Sequence, residues 1–174
     1  MNRSPVLATA SLLTALCWVL LALSGVLPTG RLFVMTLASF VVVSACLELG
    51  PGKAFYVYLG ASVLSLLWPG LAIFSLFALC FGILPLLIFY LRSRMAPFFA
   101  RLLTHAVMSL LFIGVIAIVG IDQLILRDLG QSALILSSLA LLALQLFLLV
   151  YDYAMRVFIR FYADRIGPWI RRRG

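Results

Sequence analysis

Few side chains in this chain are suited to chemistry. The acids are Glu48, Asp122, Asp128, Asp152 and Asp164, the single histidine is His105, and the cysteines are Cys17, Cys46 and Cys80. One histidine cannot build a multi-histidine metal site or a bis-histidine haem site. The cysteines sit one per apolar run with no C-x-x-C spacing, and read as small packing residues rather than ligands or a disulfide framework. Intramembrane catalysis needs paired acids, or a nucleophile beside its base, within the apolar region. Here the acids fall at the ends of apolar runs, and no P-loop, dinucleotide fingerprint, H-E-x-x-H or G-x-S-x-G occurs. The reading is therefore of a non-enzyme with no cofactor and no metal, and with no chain of titratable groups to drive a proton pump.

The elements that carry these residues are apolar to an unusual degree. Hydrophobic residues make up 66% of the 174 and charged residues 10%, with mean hydropathy +1.24. Soluble proteins average about 45–50% apolar and about 25% charged. That excess excludes a soluble fold and a disordered chain, and predicts an all-α integral membrane protein. Uncharged runs cover residues 5–30, 32–47, 54–91, 102–121 and 129–151. As one helix, the run 54–91 would be about 57 Å long, against a hydrocarbon core of about 30 Å. Trp68-Pro69-Gly70 lies near its middle, where proline removes a donor and glycine favours a turn. Breaking the run there predicts six transmembrane helices at about 5–27, 31–48, 54–68, 70–91, 99–121 and 130–162, in one domain spanning 1–174. Residues 163–174 form a basic tail. The first run is longer than the apolar region of a signal peptide and more spans follow, so it is expected to remain uncleaved.

The charge balance tests this topology. Lys and Arg total 13 against 5 Asp and Glu, a formal +8. On a soluble domain that would point to nucleic acid. With six spans and a cytoplasmic N-terminus, only Arg31 and Arg127 fall outside, and every other Lys and Arg lies inside, as the positive-inside rule requires. With five spans the two ends would face opposite sides, and the milder of the two orientations would put Arg3 and Lys53 outside with Arg31, so charge supports the break and helix length carries the rest. Six spans place both termini in the cytoplasm, and no nucleic-acid partner is implied. Trp169 with Arg171, Arg172 and Arg173 forms an interfacial tail suited to the membrane lipid surface. Asp152 with Arg156, and Arg160 with Asp164, have the i,i+4 spacing of helical ion pairs.

Without catalytic groups, such a bundle is left with binding and docking. Small residues let helices approach closely in a membrane. Ala8, Ser11 and Ala15, continued by Ala22, form one smooth stripe on the first helix that would either pack internally or receive a partner helix. Thr29, Arg31, Ser65, Trp68, Asp122, Gln123 and Gln131 cluster near the predicted outer face, where they would line a pocket or simply solvate loops. Gln145 lies deep in the last span, where an unpartnered amide is costly, so it should face a helix or a cavity. Tyr56 and Tyr58 read as interfacial anchors or helix–helix contacts.

Three segments resemble the substrate-binding S components of energy-coupling factor (ECF) transporters. Ala10-Ser11-Leu12-Leu13-Thr14-Ala15-Leu16, running on to Leu27-Pro28-Thr29-Gly30-Arg31, is similar to the family's Ala/Leu-rich first helix and its Pro-x-Gly turn. Leu47-Glu48-Leu49-Gly50-Pro51-Gly52-Lys53-Ala54 is similar to the inner loop between helices two and three. Phe77-Ala78-Leu79-Cys80-Phe81-Gly82-Ile83-Leu84-Pro85 resembles the aromatic segment of helix four. Leu84 and Ile88 depart from the Tyr and Lys that many members carry there. The resemblance covers about residues 6–94. It implies a bacterial inner-membrane subunit that binds a vitamin or other small organic micronutrient from outside. Such a subunit docks by helix 1, here Ala8, Ser11 and Ala15, on a coupling transmembrane subunit driven by two separate ATPases. The loops at 28–31, 68–70 and 122–128 would form its pocket and lid. The competing reading is a non-transport scaffold of the cell-wall elongation machinery, of the rod-shape-determining membrane protein type. That protein has similar size and a related six-helix plan, and would use the same small-residue faces to hold partners.

Overall fold

The computed structural model describes residues 3–119 and 133–166. The described chain is helical, with no strand among those residues. It divides into two units, residues 1–133 and 134–174.

The first unit holds α1 (Arg3–Val26), α2 (Arg31–Leu49), α3 (Pro51–Leu67), α4 (Leu71–Leu76), a π-helical turn (Phe77–Phe81), α5 (Ile83–Arg94) and α6 (Pro97–Val119). Turn chemistry sets the boundaries. Gly30 precedes α2 at φ +78° and Gly50 precedes α3 at φ +83°, backbone settings that side-chain-bearing residues seldom adopt. Pro51 and Pro97 occupy the first position of α3 and α6, where the missing N–H would have no helical acceptor. The long apolar run breaks at Trp68-Pro69-Gly70, with Gly70 at φ +116° and a cis Trp68–Pro69 bond. Pro69 cannot donate to the Ser65 carbonyl, and the Gly70 N–H takes its place at 3.0 Å.

Among the described residues, five helical segments are long and apolar enough to cross a membrane: Val6–Val26, Arg31–Leu49, Leu71–Arg94, Pro97–Val115 and Ser138–Phe161. The chain is thus a helical protein of multi-pass membrane character. Helix α3 has 17 residues, about 25 Å of rise, slightly less than the hydrocarbon core.

In the first unit the core sits where α2 and α3 meet their neighbours. Along α3 the buried residues Ala54, Val57, Tyr58, Ala61, Ser62 and Ser65 repeat at helical spacing, so they form one face. Most are small, which permits the close backbone approach that drives helix association in lipid. On α1 the fully covered side chains are Cys17, Leu21 and Ser24, and the Cys17 thiol donates weakly to the Ala38 carbonyl of α2 at 3.6 Å. On α6 the buried residues Ala100, Thr104, Met108 and Val115 define an inner stripe. Two glycines admit neighbouring elements. A Cβ on Gly25 would collide with the Pro69 ring, and one on Gly60 would lie 3.0 Å from Thr14 Cγ2.

The second unit holds all but the first residue of α7 (Ala133–Phe161), followed by a π-helical turn at Tyr162–Ile166. Leu144, Leu148, Tyr151, Asp152 and Met155 are buried along one of its faces. The Asp152–Arg156 pair forms at 3.3 Å.

Candidate functional site

Helix α1 presents two unlike sides. Its inner side carries Cys17, Leu21 and Ser24, and its outer side carries Ala8, Ser11 and Ala15, all exposed. Among the described residues of the first unit, these three side chains are thus left outside its core, whereas Ala22 is half-buried. The Ser11 hydroxyl donates to its own helix at the Leu7 carbonyl, 2.9 Å away, which removes a polar group from an otherwise smooth face. Leu12 and Val19 border the stripe on one side, 70% and 53% exposed, and Leu7 borders it on the other, 71% exposed. The result is a shallow strip of small side chains between larger ones, a shape that accepts a partner helix at short range.

A second candidate region lies at the Trp68 end of the first unit. The Trp18 indole N–H donates to the Trp68 carbonyl at 3.2 Å, and Pro69 seats against Gly25. These contacts bind the α3–α4 turn to α1. Trp68 as a whole remains 57% exposed. Thr29 and Arg31 are exposed in and just after the α1–α2 turn. Arg31 donates through Nε to the Leu27 carbonyl at 2.9 Å, so part of its guanidinium closes that turn. Ser65 is fully buried, and its hydroxyl donates to the Ser62 carbonyl at 2.7 Å. Thus Trp68 joins α1 directly, Thr29 and Arg31 sit at the neighbouring turn, and Ser65 lies inside the bundle.

Gln145 is half-buried on α7, on the flank of the face that carries Asp152. Asp122, Gln123 and Gln131, and the tail residues Trp169, Arg171, Arg172 and Arg173, lie outside the described residues.

A third feature was only partly visible in the sequence. Within the rod formed by α4, the π-helical turn and α5, two carbonyls lose their usual helical donors. The Gly82 N–H bonds to Phe77 instead of Ala78, which is the widened turn itself. The Ala78 carbonyl accepts from the Tyr58 hydroxyl of α3 at 2.9 Å. Pro85 has no N–H to offer Phe81, and the Phe81 carbonyl accepts from the Ser39 hydroxyl of α2 at 2.6 Å. Two helices thus repair one irregular helix, which an apolar surrounding requires. Tyr58 serves as a helix–helix contact, whereas Tyr56 is 71% exposed. Nothing in the sequence marked Ser39 or Trp18. Pro85 was the available signal, because it announces an orphan carbonyl four residues earlier.

Among the described residues no three of His, Cys, Asp and Glu gather as metal ligands, and no buried side-chain nitrogen or oxygen lacks a partner. Comparison with protein-family models, with curated proteins and with solved structures gave no match.

Proposed function

We propose that the chain is the membrane-embedded substrate-binding subunit of an ECF-type importer for a vitamin or other small organic micronutrient. The observation that carries this reading is the exposed small-residue strip of Ala8, Ser11 and Ala15 on α1. It stands beside the three segments that resemble S components. In this reading α3 is a sixth, short span, and both termini are cytoplasmic. The protein belongs to the bacterial inner membrane. The strip docks on a coupling transmembrane subunit, and separate ATPases supply the energy.

The tie between Trp18 and Trp68 supports the outer end of the reading. It holds the α3–α4 turn against α1 while leaving Trp68 exposed. The turns at 28–31 and 68–70 would then border the solute.

The test is to purify the protein in mild detergent and analyse the small molecules released on denaturation. One organic solute recovered in near-equal molar amount, and lost on dilution, fits the proposal. Recovery of lipid and detergent alone, after growth in medium rich in micronutrients, contradicts it.

A further inference from the structure

Helix α7 has 29 residues, about 43 Å of rise, against a hydrocarbon core of about 30 Å. The excess lies at its C-terminal end. Residues 133–151 carry no charge, whereas Asp152, Arg156 and Arg160 occupy the last three turns. Tilting the helix to fit would sink Asp152 and Arg156 into hydrocarbon, which is costly. About two turns of α7 therefore stand clear of the lipid tails.

An apolar strip runs along α7 and does not stop at that boundary. Leu139, Ala143, Leu146, Val150, Tyr153 and Val157 alternate spacings of four and three, and all are exposed. This is the 3.5-residue repeat of a coiled-coil seam. It is separate from the buried face that carries Leu144, Leu148 and Tyr151. Lipid tails can cover the strip as far as Tyr153. They do not reach Val157 and Phe161, which are 50% and 54% exposed in the projecting turns. A partner that covers the whole strip must cross the membrane and project by the same length. A second α7 does both.

Charge favours the same occupant. Arg160 and Asp164 are exposed at the end of the strip. Their spacing suits an ion pair within the chain. Among the described residues none joins them, and Asp164 lies in the π-helical turn, off the four-residue register of an α-helix. In a parallel pair related by a two-fold axis, each Arg160 lies about one turn from the Asp164 of the other copy, so each charge meets its opposite across the seam.

We propose that α7 is the interface of a parallel homodimer. Within the membrane Leu146, Val150 and Tyr153 close it, and beyond the membrane Val157 and two Arg160–Asp164 pairs between copies do so. The proposal uses no part of the α1 strip and is independent of the transport reading.

Single cysteines, in a variant lacking Cys17, Cys46 and Cys80 and reconstituted in liposomes, test the seam. On a two-fold axis each seam residue meets its own copy, so Val150→Cys and Val157→Cys should cross-link on mild oxidation. Leu110→Cys, on α6 and 70% exposed, should not. The charge pairs are tested by mixing. Arg160→Asp and Asp164→Arg should each weaken self-association about tenfold, read by energy transfer between labelled copies. The two variants mixed together should associate as tightly as wild type. Three results overturn the proposal: a monomer at every protein-to-lipid ratio, Leu110→Cys cross-linking as efficiently as Val157→Cys, or a mixture no tighter than either variant alone.

Discussion

The Ser39 hydroxyl of α2 donates to the Phe81 carbonyl at 2.6 Å, and Pro85 is the residue that leaves that carbonyl without a helical donor. The pair joins residues 42 positions apart in the sequence. It also makes a definite statement about stability. Interhelical hydrogen bonds in membrane proteins contribute about 0.6 kcal/mol on average and up to about 1.7. Ser39→Ala should therefore lower thermal stability in detergent by about 1 kcal/mol. Pro85→Ala restores an N–H for Phe81, so in that background Ser39→Ala should cost markedly less. An equal cost in both backgrounds would remove the proposed link.

Tyr58→Phe is expected to behave likewise through the Ala78 carbonyl. The ring still packs against Phe77, with centroids 6.2 Å apart, so the loss should be confined to about 1 kcal/mol. Denaturant titration followed by circular dichroism measures it. Tyr56→Phe, on the exposed side of α3, should be silent in the same assay.

Three glycines separate close packing from propensity. A Cβ on Gly82 would lie 2.7 Å from Tyr58 Cδ2 and 2.9 Å from Phe77. Overpacking of this kind costs about 1–3 kcal/mol, and Gly25→Ala should cost a similar amount through Pro69. At Gly114 a Cβ meets nothing within 4 Å, so Gly114→Ala should be neutral or gain up to about 1 kcal/mol from helix propensity. Melting temperatures of the three variants, compared side by side, check the order.

Much of the architecture was legible in the sequence. The helix ends fell near Pro and Gly because those residues act locally, and the break at Pro69-Gly70 followed from the length of the run together with the turn chemistry of those two residues. Which side of each helix faces inward was not legible. In a membrane, both the lipid and the protein interior are apolar, so the usual amphipathic signal fades. Ala8, Ser11 and Ala15 were visible as a stripe, but only the structure shows the stripe to be exposed. Ser39 meeting Phe81 and Trp18 meeting Trp68 are long-range pairings that no local pattern encodes. Helix α3, at 17 residues, is shorter than α2 at 19 and than the 24-residue stretch Leu71–Arg94, because Gly50 and Trp68-Pro69-Gly70 bound it closely on both sides.

The exposed strip makes a prediction in which stability and docking part company. Ala15 lies outside the core, so Ala15→Leu should leave the melting temperature within the error of wild type. The added bulk fills the strip and should weaken partner docking more than solute binding. Equal loss of both would return the strip to an internal structural role.

The most direct measurement is affinity purification of the tagged protein in mild detergent, with quantitative mass spectrometry of what accompanies it. Wild type is expected to bring down one coupling membrane protein and two ATP-binding subunits, and Ala15→Leu to lose them in parallel. Recovery of cell-wall elongation enzymes or filament proteins instead would contradict the account.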